Sequence, residues 1–313
     1  MMETFAPLNG VINVYKEKGF TSQDCLTVLK GILKVKKVGH TGTLDPAAEG
    51  VLPVCVGKAT RAAELIQGKD KEYVAELTFG AETSTQDATG EVIKTYDYSP
   101  KDFDETKVRE AVTSFIPGYD QIPPMVSALH KDGKRLYDLA RAGITVEREA
   151  RPVRISEIEI LKLSPEGMTI RVRCGKGTYI RALAEDIGRK IGCGAYMQSL
   201  VRTKSGPFAI EESLKLSEIE AMVRKGRRSD VVTSVEVLFE DYPRFVTPAE
   251  DDGYLLNGNY LTYPVTSLEV PQSGTVYRME TSAHEFKALY RLTEFLAAED
   301  GTPTARLRPY KVF

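Results

Sequence analysis

Two stretches of strict alternation constrain the fold more than any other feature of this chain. In "KEYVAELTFG", Tyr73, Ala75, Leu77 and Phe79 share one face, while Glu72, Glu76 and Thr78 share the other. In "GMTIRVRC", Met168, Ile170, Val172 and Cys174 point one way and Thr169, Arg171 and Arg173 the other. A period of two with one apolar face marks a strand that covers a core on one side only. One-sided burial is the habit of antiparallel sheets. The second strand runs into "GKGTYIRALAEDIGRKIG", a glycine turn feeding a helix with Ile180, Leu183, Ala184, Ile187 and Ile191 on its core side.

The remaining segments come in mixed order, without a regular βαβ period. Residues 22–33 place Cys25, Val28, Leu29, Ile32 and Leu33 on one helical face, with Ser22 as the cap. "GVLPVCVG" reads as a short buried strand whose Pro53 argues for an edge or a bulge. "AETSTQDATGE" reads as a long polar loop. "DETKVREAVTSFIPG" is a helix with acids in its first turn, a stripe of Val108, Ala111, Val112, Phe115 and Ile116, and a stop at Pro117 and Gly118. "QIPPMVSALHKDGKRLYDLARAG" begins extended, because a residue before proline is pushed out of the helical region, and ends as a short helix. "RPVRISEIEILKL" reads as a strand neighbouring "GMTIRVRC". The fold class expected is α+β, with a mixed, mostly antiparallel central sheet and flanking helices. Near Leu238 the pattern changes to short strands and turns, "GNYLTYPV", "GTVYRME" and "TARLRPYKVF". The expected division is therefore 1–237 and a small β-rich domain, 238–313.

Composition excludes more than it selects. The four cysteines form no CxxC and the three histidines no HxH or HExxH, so neither a zinc ribbon nor a catalytic metal is expected. The N-terminal segment lacks a basic start and an apolar run, and no window approaches a spanning helix, so a soluble, cytoplasmic protein is expected. Net charge is -2. The charge is uneven, however. From Leu238 onward there are 7 basic and 11 acidic residues, which leaves 35 and 33 in the rest. "HKDGKRLYDLARAG", "VEREARPVR" and "VRKGRRS" gather the basic residues into clusters suited to a phosphate backbone. "GHTGTLDP" lacks the lysine of a Walker A loop, and "CGKGTYIR" has neither Walker spacing nor GxGxxG, although its place between strand and helix suits an anion.

Asp45, in "KVGHTGTLDP", is the acid that stands out. Asp before Pro in a Gly/Thr-rich segment is commonly a turn residue. This segment, however, lies between an amphipathic helix and an apolar strand. A carboxylate at the edge of a core needs donors or a cation. Thr41, Thr43 and the N–H groups near Gly42 are candidate donors. Arg181 is the candidate cation, because an arginine in the first turn of a helix needs a negative neighbour. Tyr73 opens its strand, where a ring can protrude into a cleft. Tyr179 reads equally as a core aromatic.

At these residues the chain resembles a known family. "GHTGTLDPAAEGVLPVCVGKATR" resembles the catalytic motif of the TruB family of tRNA pseudouridine synthases. "KEYVAELTFGAETSTQDATGE", "QIPPMVSALHKDGKRLYDLARAG", "CGKGTYIRALAEDIG" and "LVRTKSGPF" resemble further family segments, in family order, over about residues 9–210. The C-terminal part resembles the small PUA-type RNA-binding domain more loosely. The resemblance implies isomerisation of uridine 55 in the T-loop of tRNA, with no cofactor or metal. Asp45 matches the catalytic aspartate, Arg181 its paired arginine, and Tyr73 the tyrosine that packs on uracil and is placed to accept the C5 proton. Tyr179 and Leu200 match residues lining the base pocket, and His40 a histidine that enters the space vacated by the flipped base. Arg202, Lys204, Lys131, Lys134 and Arg135 are expected phosphate contacts. Val126 and His130 depart from the tyrosine and lysine of many relatives. The partner implied is tRNA, through its T-loop and acceptor arm, with a stand-alone monomer and no obligatory protein partner. Two alternatives remain. A glycosidase needs a second carboxylate, for which Glu49 is nearest in sequence; an RNA chaperone needs the same surface without turnover.

Overall fold

The computed structural model describes residues 7–127, 130–131, 134–135, 143–144 and 146–313. In chain order the elements are β1 (Gly10–Lys16), α1 (Ser22–Leu33), β2 (Val38–His40), β3 (Glu49–Val56), α2 (Ala63–Gln67), β4 (Lys71–Phe79), β5 (Ala81–Thr83) and β6 (Val92–Thr95). Then come α3 (Glu105–Thr113), β7 (Gly118–Gln121), β8 (His130–Lys131), β9 (Lys134–Arg135), β10 (Arg151–Ser164), β11 (Gly167–Cys174), α4 (Ile180–Ile191), β12 (Ala195–Ser205), β13 (Phe208–Ala209) and α5 (Leu216–Arg224). The chain ends with β14 (Arg244–Val246), α6 (Asp252–Asn257), β15 (Leu261–Pro264), β16 (Val276–Glu280), β17 (Phe286–Ala297) and β18 (Pro303–Val312).

Among the described residues, the main sheet runs β1-β3-β12-β4-β11-β10-β7, with β2 added to β3 and β13 to β12. Every pairing is antiparallel except β3 with β12. The alternation of β4 and β11 is realised as read. Their apolar faces join one cluster with Ile180, Leu183, Ala184, Ile187 and Ile191 of α4 and Val108, Ala111, Val112 and Phe115 of α3 and the turn after it. Each large apolar side chain buried there stabilises the layer by roughly 1.5–3 kcal/mol. A second cluster packs α1 and α5 on β1 and β3. The C-terminal sheet, β14-β16-β17-β18-β15, closes on its own core around Tyr277 and Tyr290. It meets the main sheet through Phe239, Leu289, Phe208 and Ala59.

Four local expectations are corrected. Thr21, not Ser22, caps α1, in a capping box with Asp24. Val28 is exposed and Leu26 takes its place on the buried face of α1. β3 is interior rather than an edge. Pro53 is accommodated because the N–H and C=O of a strand residue share an edge: its carbonyl accepts from Thr41, so the missing N–H lies on that side, off the β1 ladder and beyond the short contact with β12. The polar stretch 81–91 is a loop over 84–91 as read, but its first three residues form β5, which pairs with β6. The short helix expected at the end of the 121–143 segment lies outside the described residues. No helix among the described residues is long and apolar enough to cross a membrane.

Candidate active site

The sheet register builds the floor of a cleft of about 500 Å³. Arg202 of β12 lies opposite Tyr73 of β4, and Leu200 opposite Ala75, so three candidate residues share one patch of the sheet. Gly50 allows β3 to approach β12 there. It sits at φ +100°, and a Cβ would come within 2.3 Å of the Arg202 carbonyl oxygen. Tyr179, at the entrance of α4, and the loop carrying Asp45 form the walls.

Asp45 and Arg181 meet. Nε of Arg181 lies 2.9 Å from Oδ2 of Asp45. The two are unequally placed: the arginine side chain is 4% exposed and the carboxylate 41%. One member is held by the protein while the other faces incoming substrate. Arg181 is held on every side. Its Nη1 donates to the Thr85 carbonyl at 3.0 Å and its Nη2 to the Val126 carbonyl at 2.9 Å. Oδ2 of Asp87 lies 3.7 Å from its Nε. Asp87 is oriented by Thr85 Oγ1 and by the N–H and hydroxyl of Thr89, all on Oδ1.

The Asp45 loop is pinned by residues whose roles differ from expectation. Ser22 donates its hydroxyl to the Leu44 carbonyl at 3.2 Å and accepts the Leu44 N–H at 2.9 Å. The Thr41 N–H and hydroxyl both go to the Pro53 carbonyl, so this threonine holds the loop to β3 rather than serving the carboxylate. Thr43 is exposed. Beneath the loop lies Lys16, 0% exposed, whose Nζ donates to the carbonyls of Ala48 (2.6 Å), Glu17 (3.2 Å) and Pro46 (3.3 Å).

Arg202 is the clearest correction. Expected to meet phosphate, it is 1% exposed. Its Nε donates to the Val51 carbonyl at 2.6 Å and its Nη2 to the Gly42 carbonyl at 3.1 Å, and its charge acts to lower the pKa of the Tyr73 hydroxyl. Its charge lies under the cleft, where it braces the Asp45 loop. Lys204, one turn of the pleat further on, is exposed as expected. His40, on β2, does not line the cleft; it accepts the Gly42 N–H at 3.4 Å, and burial together with Arg202 lowers its pKa. Lys131, Lys134 and Arg135 are described in backbone only, as the short hairpin β8–β9, and their side chains, like that of His130, lie outside the described residues.

Titration follows the same geometry. Burial raises the pKa values of Tyr73 and Tyr179, which keeps both phenols neutral near pH 7; Arg202 acts in the opposite direction on Tyr73. Lys71, unremarked in the sequence, lines the cleft with its ammonium on the Gln67 and Lys69 carbonyls, both at 2.6 Å, and burial lowers its pKa to about 8. Lys71 and Lys176 line the cleft beside Arg181, against the one carboxylate of Asp45, a balance suited to a phosphate-bearing substrate. Glu49 does not line the cleft and is hydrogen-bonded to Tyr15, so the second acid a glycosidase requires is not supplied from there.

Sequence comparisons name a family. The profile of the TruB family pseudouridylate synthase N-terminal domain matches residues 30–180. That of the tRNA pseudouridylate synthase B C-terminal domain matches residues 181–250. A tRNA pseudouridine synthase B from Lachnoclostridium phytofermentans is 48% identical over 262 residues, covering 81% of this chain and 84% of its own.

The chain belongs to the TruB family.

The relative from Dehalococcoides mccartyi, also a tRNA pseudouridine synthase B, is 40% identical over 284 residues, 91% of this chain and 92% of its own. Among solved structures, a Cbf5-Nop10-Gar1 complex matches with TM-score 0.72 at 26% identity, covering 97% of this chain and 84% of that one. An H/ACA RNP bound to a substrate RNA containing 2'-deoxyuridine matches with TM-score 0.72 at 25% identity and the same coverage. The fold is that of the pseudouridine synthases, and the curled C-terminal sheet is PUA-like. Asp87, Lys16, Lys71 and the bracing role of Arg202 were missed in the sequence. Only Lys16 left a trace there, as a lone cation closing the apolar run "GVINVYK".

Proposed function

We propose that this protein isomerises uridine 55 in the T-loop of tRNA to pseudouridine, as a stand-alone cytoplasmic monomer. In this reading 1–237 form the catalytic domain and 238–313 contact the acceptor arm. The observation that carries the proposal is the Asp45–Arg181 pair, half open to a cleft floored by Tyr73 and Leu200, in a TruB family chain.

The target base leaves its stack, at a cost of a few kcal/mol, and enters the cleft. Tyr73 packs against the uracil, and Tyr179 and Leu200 line its pocket. His40 supports the RNA where the base departed. Ionised Asp45, held by Arg181, either attacks C1′ or removes the C2′ proton. Both routes break the N1–C1′ bond. The uracil turns over and C5 bonds to C1′, which displaces Asp45 in the first route and takes the proton back from Asp45 to C2′ in the second; one proton leaves C5 and one arrives at N1, so the sum is an isomerisation. Tyr73 is the group nearest in role to take the C5 proton, which it can do only as the phenolate; the Arg202 cation favours that ionised form, against the burial that raises the pKa. Lys204, Lys131, Lys134 and Arg135 meet backbone phosphates.

Residues 238–313 are net acidic, yet their basic residues all lie in the strands of the sheet, where two of them stack on rings. The Arg306 guanidinium lies 5.0 Å from the exposed Tyr260 ring, and that of Arg291 4.4 Å from the Tyr310 ring. Such pairs suit bases and sugar-phosphate at the end of an arm.

The test uses an unmodified tRNA transcript tritiated at C5 of uridine. Tritium release by the wild type, abolished in Asp45→Asn while tRNA binding persists, is the expected result. Binding without release by the wild type would replace the synthase reading with that of an RNA chaperone.

A further inference from the structure

Helix α4 starts against the usual rules. Its N-cap, Tyr179, makes no capping hydrogen bond with its side chain, and its first turn holds no acid but does hold Arg181. Orphaned N–H groups and a cation at the positive end of the dipole both weaken such a start. Yet Tyr179 and Arg181 are both carried there.

The fixing comes from another strand. Gln121, the last residue of β7, is 1% exposed. Its Oε1 accepts the Tyr179 N–H at 2.8 Å, and its Nε2 donates to the Tyr179 carbonyl at 3.0 Å. Nε2 also donates to the Tyr119 hydroxyl at 2.7 Å, which itself donates to Oδ2 of Asp186 at 2.7 Å. The Tyr119 oxygen is thus an acceptor toward Gln121, which fixes which end of the amide faces which partner. Asp186 belongs to α4 as well. Strand β7 therefore grips the helix at its N-cap and again almost two turns on, and both its rotation and its axial position are set. Directly after Gln121 the chain continues to Val126, whose carbonyl takes Nη2 of Arg181.

We propose that Gln121 is a positioning residue: by clamping both backbone polar groups of Tyr179, it sets where the Tyr179 ring and the Arg181 guanidinium meet the flipped uridine. The inference rests on the roles proposed above for those two residues. It acts on the chemical step, because a displacement of about 1 Å at reacting groups costs up to about 100-fold in rate.

The experiment compares wild type, Gln121→Met and Gln121→Glu in tritium release, tRNA binding and thermal melting. Gln121→Met keeps the length and loses the polar ends. Its kcat is expected to fall roughly 10- to 100-fold with KM and tRNA affinity unchanged, counted per mole of tRNA-binding protein. A purely structural role would lower the melting temperature and leave that kcat alone. Gln121→Glu still accepts the Tyr179 N–H but donates only when protonated, so its activity relative to wild type should rise as pH falls. Should Gln121→Met fail to fold, the Gln121→Glu profile decides. Wild-type kcat in Gln121→Met, or a pH-independent, wild-type-like Gln121→Glu, overturns the inference. A wild type that releases no tritium instead overturns the proposed function.

Discussion

Lys16→Met offers a direct test of how the catalytic loop is held. The ammonium is fully buried and donates to three carbonyls around the Asp45 loop. Two of these keep another donor after substitution: Pro46 retains the Gly19 N–H and Glu17 the Phe20 N–H. The main loss is the 2.6 Å bond to Ala48. A hydrogen bond to a charged group contributes about 1.5–3 kcal/mol net, and Met fills most of the vacated volume. The expected destabilisation is therefore about 2 kcal/mol, well short of unfolding a chain this size. The effect on rate should be larger than that on stability. The Pro46 and Ala48 carbonyls flank the backbone that aims Asp45, and slack there should lower kcat about 10- to 100-fold with tRNA binding kept. Tritium release measures the rate, and chemical denaturation the stability. A variant that loses the stability but keeps the wild-type kcat would refute the idea that Lys16 sets the aim of Asp45. One that loses neither would refute the tether itself.

Two further outcomes follow from burial. Arg202→Met should leave the salt dependence of tRNA binding unchanged, because its guanidinium is taken up by protein carbonyls, whereas Lys204→Ala should lower the slope of log affinity against log salt by about 0.7–0.9. Binding titrations across salt concentrations would show an Arg202 phosphate contact if the first slope also fell. Lys71, with a pKa of about 8 in the fold against an ordinary 10.5, disfavours folding while protonated. Stability should thus rise from about pH 8 to about pH 10.5, by at most about 3 kcal/mol, and stay level below pH 8, where both states carry the proton. The wild type and Lys71→Met, denatured at either end of that window, should differ by this increment; equal pH dependence in the two would argue against the assignment.

Tyr73, Ala75, Leu77 and Phe79 were legible as a buried face because a strand covering a core on one side must alternate, whatever its neighbours. The face of α4 was legible for the same reason at a helical period. Asp45 and Arg181 could be paired on paper, since a carboxylate at a core edge and a cation at a helix start each need an opposite charge. Such demands are local, and the sequence alone determines them. It does not determine which distant group meets a buried polar side chain. Arg202 reaches Gly42 across 160 residues, Arg181 reaches Thr85 across 96 and Gln121 reaches Tyr179 across 58. Arg202 therefore read as a surface cation and Ser22 as a cap, until the β4–β12 register and the closure of the Asp45 loop gave them buried carbonyls and an N–H to satisfy. Period and local charge follow from the order of residues. The satisfaction of buried donors and acceptors is decided only when the chain has closed on itself, because both partners must lose water together.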